Sequence, residues 1–348
     1  MSTGAEREAL VRDFLDASGW ALAQVAPLAG DASNRRYLRV HTSDAYAVLM
    51  DAPPERGEDV RPFVAVSEWL VAQGFSAPQI FAADPERGFL LIEDLGDALY
   101  ARHLEGRPGD EDLLYGAAVD LLLRTSELPV PATMGREARV LEPYDIAVLE
   151  RESALVTEWW MPAASGACMP DDLDAEFREL LVTCCTPVAD ARSVLVQRDY
   201  HAENLLWLPH REGHARVGLL DYQDALAGHP AYDLMSLLED ARRDTSPALQ
   251  EAMLSRYLAA RPELDEDVFR RDYAVLGAQR NLKIVGIFAR LCARDGKPGY
   301  LDLIPRVWGH LMQDLSHPDL SGLRDWVMAH VPAPEPSVLQ RIRAGEAS

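Results

Sequence analysis

Lysine is nearly absent from this chain: Lys283 and Lys297 are the only two in 348 residues, although lysine and arginine together number 34. Any anion met before Lys283 must therefore be met by arginine, histidine, backbone N–H groups or a metal. Cysteine is scarce as well. Cys168, Cys184, Cys185 and Cys292 form no C-x-x-C pair, and adjacent Cys184 and Cys185 suit no framework of bridges, so reduced core thiols are expected. No stretch reaches the roughly 18 apolar residues of a membrane span, and acids stand where a signal peptide would be apolar. A soluble cytoplasmic protein that avoids membranes is the expectation. Positive charge falls short of negative: Asp and Glu number 56, the net charge is -22, and a nucleic-acid backbone would be repelled. G-x-x-x-x-G-K-[ST], G-x-G-x-x-G and G-x-S-x-G are missing too, which removes P-loop, Rossmann and α/β-hydrolase readings.

What is present is an ordinary globular composition, 48% hydrophobic, in a chain long enough for two lobes. Residues 5–18 carry Leu10, Val11, Phe14 and Leu15 at helical spacing. "RRYLRV" (35–40), "YAVLM" (46–50) and "GFLLIED" (88–94) read as strands, with "EDVRPFVAVSEWLVAQG" between the last two a helix that Gly74 can cap. Beyond Leu99 the pattern is helical, over 111–126, 172–189, 247–260 and 265–294. The expected fold is α+β, with a small antiparallel-sheet lobe carrying one main helix (1–95), a larger mainly helical lobe (96–330) and a loose Pro-rich, charged tail (331–348).

One segment breaks the helical pattern. "VQRDYHAENLLWL" (196–208) packs Arg, Asp, His, Glu and Asn between apolar runs, and "LLWL" and "VGLL" (217–220) read as a hairpin. If the two strands are antiparallel, Asn204 before the first lies beside Asp221 after the second. An amide oxygen and a carboxylate are what Mg²⁺ accepts alongside phosphates and water, which leaves Asp199 free to take a proton. A purely structural alternative makes Asp199 a turn former, Asn204 a cap and Asp221 an Asx turn. His210 and His214 fall in the hairpin turn without a third ligand, so zinc is not expected there.

"RDYHAENLLWL" followed by "LLDYQDALAGHPAYDL" resembles the catalytic and metal-binding segments of the aminoglycoside phosphotransferase and choline kinase group, which share the protein-kinase-like bilobal fold. "GDASNRRYLRV", "VLMDAPPE", "GFLLIEDLGD" and "QRNLKIVGIFARL" are similar to the anomeric kinases of cell-wall recycling, which act on N-acetylmuramate and N-acetylglucosamine. The resemblance covers about residues 10–320. It implies a monomer that binds ATP and a small sugar, with Asp199 the catalytic base and Asn204 and Asp221 holding Mg²⁺ on the ATP phosphates. It also implies that backbone groups of Glu93 and Leu95 meet the adenine edge and that Asp233 braces the catalytic loop.

Two departures stand out. Gln197 and Arg198 precede Asp199 where relatives have H-x-D, and Met50 occupies the place of the third-strand lysine. For the phosphates the loop "AGDASNRRYLRV" offers Gly30 and Ser33 for close backbone approach, and Arg36 with Glu68 as its ion-pair partner. Solvated surface arginine is the plain alternative. For the sugar, His201 and Glu203 lie in the base loop, Glu150 and Arg151 in "YDIAVLERESALVTEWW", and Arg280 and Asn281 in "AQRNLKIVG". A lactyl carboxylate would need Arg280 or Arg151. The competing readings are a kinase of an aminoglycoside or amino alcohol, and an inactive nucleotide-binding module.

Overall fold

The structure is a computed structural model and describes residues 4–28, 34–135 and 138–344. From the N-terminus run helix α1 (Gly4–Ala17) and strands β1 (Gln24–Pro27), β2 (Arg36–His41) and β3 (Tyr46–Asp51). Helix α2 (Arg61–Ala72), strands β4 (Ile80–Asp84) and β5 (Phe89–Glu93) and helix α3 (Tyr100–Gly106) follow. Helix α4 (Glu111–Ser126), a small ladder of β6 (Thr133–Met134) with β7 (Arg139–Val140), and helices α5 (Ile146–Ser153), α6 (Met161–Ser165) and α7 (Asp171–Ala189) come next. Four short strands succeed them, β8 (Val194–Val196), β9 (Leu205–Trp207), β10 (Val217–Leu219) and β11 (Leu226–Gly228). The remainder is helical: α8 (Ala231–Leu238), α9 (Pro247–Ala259), α10 (Glu266–Ala293), α11 (Ile304–Asp314), α12 (Ser321–His330) and α13 (Pro336–Ala344).

The chain forms two compact units. One takes in the chain up to Pro108, Pro131–Leu141 and Glu203–Ala225; the other takes in Gly109–Val130, Glu142–Ala202 and Leu226 onward. This grouping differs from the expected split at 95/96 in joining α3 and the β9–β10 hairpin to the sheet. The reason is backbone pairing. Leu219 N–H donates to Ser76 O at 2.9 Å, Trp207 N–H donates to Ala98 O at 2.8 Å, and Leu99 bridges Leu206.

In the sheet unit the strand order is β1-β2-β3-β5-β4, antiparallel throughout. Alternation sends Leu38, Val40, Ala47, Leu49, Phe89 and Leu91 to one face, where Val11, Phe14 and Leu15 of α1 complete a core. Strand β2 keeps its polar residues because only this inward set must be apolar. Helix α2 ends in a Schellman motif: Gly74 has φ 86°, Phe75 N–H reaches Leu70 O at 3.0 Å and Gly74 N–H reaches Val71 O at 3.0 Å.

In the helical unit several helix starts are capped by side chains. Asp145, Ser246 and Asp265 accept from Val148, Leu249 and Val268 at 3.0–3.1 Å. The segment expected as a loose tail contains α13, which buries Val338 and Ile342 and ties Arg341 to Ala164 O at 3.0 Å. All four cysteines are free, but Cys168 is exposed and Cys185 alone is buried, so the thiols do not form a core set. Among the described residues no helix is long and apolar enough to cross a membrane.

Candidate functional site

The candidate groups fall in both units, a separate set in each. In the helical unit, β8 pairs with β11 and delivers the chain into the loop that carries Asp199. Asp233, in the first turn of α8, accepts the N–H of Gln197 at 2.7 Å and of Arg198 at 3.0 Å with its two oxygens. Tyr200 donates its hydroxyl to Ala118 O at 2.9 Å, and Asp240 accepts Ala202 N–H at 3.2 Å and Arg242 N–H at 2.8 Å. Pinned on both sides, the loop holds Arg198 at φ 75°. That left-handed conformation strains a non-glycine residue by roughly 1–3 kcal/mol and recurs where a side chain must be aimed. The brace expected of Asp233 is therefore made in hydrogen bonds, and burial pushes its carboxyl up to about 7 against the pull of those bonds.

Asp199 itself remains accessible to solvent. Desolvation by its surroundings raises its pKa, but Lys283 first, and His201, Arg280 and Arg198 after it, hold the carboxyl below its ordinary value. It is ionised at neutral pH. Gln197 is buried, and its Nε2 has no hydrogen-bond partner among the described residues.

The charge around Asp199 is organised by Glu152, a residue the sequence reading passed over. Buried at 8% exposure, it accepts from Arg198 and from the Tyr144 hydroxyl and pairs with Lys283 Nζ at 3.0 Å. The Tyr144 and Tyr232 hydroxyls lie 2.9 Å apart beside it. Its two candidate neighbours point elsewhere: Glu150 accepts from Arg178 of α7 at 3.2 Å, and Arg151 is exposed. A step of about 100° per residue separates these faces of α5. The signal was there, since Leu149, Glu152, Ser153 and Val156 share the buried helical spacing with an acid among them.

The other acceptor candidates sort in the same way. His201 is buried, its pKa is pushed down to about 4, chiefly by desolvation, and its Nε2 lies 3.3 Å from Arg242 Nη1. Asn281, fully buried on α10, donates its amide to Glu239 at 2.8 Å and Asp314 at 3.0 Å. It belongs to an acid cluster between helices and not to an open acceptor surface. Arg280 is 4% exposed, and its Nη1 meets no acceptor among the described residues.

In the sheet unit the hairpin has the expected register. Leu219 faces Leu205, and Asn204 O accepts Leu220 N–H at 3.0 Å, so Asn204 and Asp221 stand at the same end of the ribbon. Asp221 adopts φ 58° and accepts Gln223 Nε2 at 2.7 Å. Tyr222, fully buried, stacks on Phe63 of α2 with 5.1 Å between ring centroids and lies 2.8 Å from Ser67 Oγ. These contacts fasten the strained residue to α2. The donor set fits Mg²⁺, because an amide oxygen and a carboxylate are hard ligands. Among the described residues no group of three or more His, Cys, Asp or Glu could hold a metal.

Glu203, at the start of this segment, is exposed. Glu93 ends β5, gives its N–H to Gln79 O at 2.9 Å and pairs through its carboxylate with Arg211. Leu95, next along, packs towards Gly218 of β10, where an added Cβ would lie 3.4 Å from Leu95 Cδ1 and 2.9 Å from Leu206 Cβ. Met50, 1% exposed, lies opposite Tyr37 and Leu90 in the sheet. The expected Arg36–Glu68 pair is not made. Arg36 shares the α1 face with Leu38 and Val40, donates to Asp51 at 2.7 and 3.1 Å and pairs with Glu8 of α1. Gly30 and Ser33 lie outside the described residues.

Residues 24–266 match the family described as the phosphotransferase enzyme family. The chain is similar to an N-acetylmuramate/N-acetylglucosamine kinase of Caulobacter vibrioides, 41% identical, covering 95% of this chain and 99% of that one. It is also similar to a kinase of the same name from Pseudomonas aeruginosa, 36% identical over 91% and 92% of the two chains. Among solved structures, Plasmodium vivax ethanolamine kinase superposes with a TM-score of 0.61 at 12% identity, covering 92% of each chain.

Proposed function

The chain belongs to the phosphotransferase enzyme family, and from that premise we propose that it transfers the γ-phosphoryl group of ATP to the anomeric C1 hydroxyl of N-acetylmuramate or N-acetylglucosamine, in recycling of the cell wall. That it is a kinase acting on a hydroxyl follows from the family and its relatives. The observation that carries the acceptor is the 41% identity, along 95% of the chain, to a kinase named for both sugars. The likeness to ethanolamine kinase, at 12% identity, supports the fold and not an amino-alcohol acceptor.

In this reading Asp199 orients the sugar hydroxyl and accepts its proton as the phosphoryl group departs in line. Its lowered pKa makes it a weak base. An anomeric hydroxyl is more acidic than an ordinary alcohol, so a weak base suffices. The Glu152 network and Asp233 hold the loop, while Lys283, His201, Arg280 and Arg198 keep Asp199 charged. Mg²⁺, held by Asn204 and Asp221, would neutralise charge on the phosphates. The adenine edge falls to Leu95, whose N–H and C=O take no hydrogen bond among the described residues, and to the C=O of Glu93. With Met50 in place of lysine, the phosphates rely on the metal and on the backbone around Gly30 and Ser33.

The test is ³¹P NMR of the protein with ATP, Mg²⁺ and each sugar. A sugar 1-phosphate resonance is expected, formed at least about 10²-fold more slowly by Asp199→Asn, in line with loss of a general base. If ATP stays intact with both sugars, this acceptor reading fails.

A further inference from the structure

Among the described residues Arg280 is a cation without a counterpart. It is 4% exposed, its Nη1 is wholly buried without an acceptor, and among the described residues it enters no ion pair. Comparable cations of the same unit are engaged: Arg198 and Lys283 share Glu152, and Arg242 meets His201. Two of the acids whose titration Arg280 influences, Asp233 and Glu239, are occupied as well. Asp233 spends both oxygens on backbone N–H groups, and Glu239 is bound to Asn281 beside Asp314. Buried polar groups are nearly always hydrogen-bonded, and a guanidinium more so than most, so an orphan donor of this kind asks for a missing partner.

Its place on α10 says where that partner would come from. Arg280 precedes Lys283 by three residues, so the two share a face of the helix about 4.5 Å apart along its axis. Lys283 pairs with Glu152, and Glu152 holds Arg198, the residue before Asp199. Arg280 is thus turned towards the loop that presents Asp199, and its charge is among those that pull the Asp199 carboxyl down. A ligand whose hydroxyl reaches Asp199 has its neighbouring substituents near Arg280.

We propose that Arg280 is the receptor for a carboxylate carried by the acceptor, and so sets the preference of this enzyme for an anionic sugar over a neutral one. The inference rests on the sugar-kinase reading above. A guanidinium fork matches a carboxylate with two parallel hydrogen bonds. In a chain of net charge -22 an anionic acceptor needs a local cation not already claimed by an acid. N-acetylmuramate bears such a group, its lactyl carboxylate; N-acetylglucosamine does not. Arg151, the other sequence candidate, is exposed and solvated and asks for no partner.

The experiment compares kcat/KM for N-acetylmuramate, its uncharged lactamide and N-acetylglucosamine, using the wild type, Arg280→Gln and Arg280→Lys. The wild type is expected to favour the acid over the amide by at least about tenfold, the range of one charge-assisted hydrogen bond. Arg280→Gln should abolish that preference and lower the ratio of N-acetylmuramate to N-acetylglucosamine efficiency at least tenfold, with partial recovery in Arg280→Lys. Equal falls on all three sugars would assign Arg280 to the phosphoryl group, to Asp199 or to the fold, and overturn the proposal. So would a wild type indifferent to acid and amide, a comparison that decides the matter even if the glutamine variant does not fold. A wild type inactive on every sugar would instead remove the sugar-kinase reading, and this proposal with it.

Discussion

Arg36 shows how a charge can be placed on the correct face of a strand and still be given the wrong partner. Period-two alternation puts it with Leu38 and Val40, which is where it lies. That face is covered by α1, whose Arg7 also donates to Asp51, at 2.6 and 2.9 Å. Asp51 is 2% exposed and receives two guanidinium groups, one buried and one half-exposed. Removing the shared acid strands a buried cation, so Asp51→Ala should cost about 3–5 kcal/mol in denaturant unfolding. Arg36→Ala should cost under about 1 kcal/mol, since Arg7 remains and Arg36 is partly solvated. The KM for ATP should change less than about twofold in Arg36→Ala; a tenfold rise would return Arg36 to the phosphates. Asn204 and Asp221 were legible as neighbours at one end of the hairpin because a hairpin register is a local property. The burial of Glu152 could be read from its spacing, but its partners Arg198 and Lys283 could not, because no spacing within α5 announces them.

Helix α10 was delimited almost to the residue, as 265–294 against Glu266–Ala293, because an Asp cap, a long stretch without proline and helical spacing are all local signals. Its packing was not. A Cβ on Gly277 would stand 2.5 Å from Asp314 Oδ2, and one on Gly286 would stand 2.3 Å from the Leu155 backbone. Both glycines are notches for neighbouring elements. At the first notch Glu239, Asn281 and Asp314 join α10 to α11 and to the end of α8. Burial pushes Glu239 up to about 7, against the pull of Asn281, Asp314 and Tyr273, and Asp314 rises as well. The folded protein therefore retains a proton that the unfolded chain releases at its ordinary value of 4.5. Between about pH 4.5 and 7, this pair contributes stability that is lost as pH rises. Glu239→Gln keeps the neutral hydrogen-bonding form and removes the titration. Its stability relative to wild type should grow by on the order of 3 kcal/mol between pH 5 and 8, measured by urea unfolding at each pH. A difference independent of pH would show that Glu239 is ionised throughout.

At the scale of the whole molecule, Mg²⁺ with ATP should stabilise the folded chain by mass action, since the unfolded chain keeps no site. At a hundredfold excess over Kd this amounts to about 2.7 kcal/mol, readable as a rise in thermal midpoint. Chelation with EDTA should remove most of the rise, and Asp221→Asn should do the same with Mg²⁺ present; a rise unaffected by either would separate nucleotide binding from these oxygen ligands. The sequence by itself determined the main strands of the sheet, the long helices, the hairpin with Asn204 and Asp221 at one end, and the family. Those depend on side chains a turn or a strand pair apart, where spacing and caps decide. Only the tertiary structure decided that Asp51 collects Arg7 and Arg36, that Glu152 collects Arg198 and Lys283, that the hairpin is bonded to the sheet unit, and that Arg280 is left alone. Those outcomes depend on which helix faces pack together, and a buried charge takes its partner from whatever that packing brings within reach.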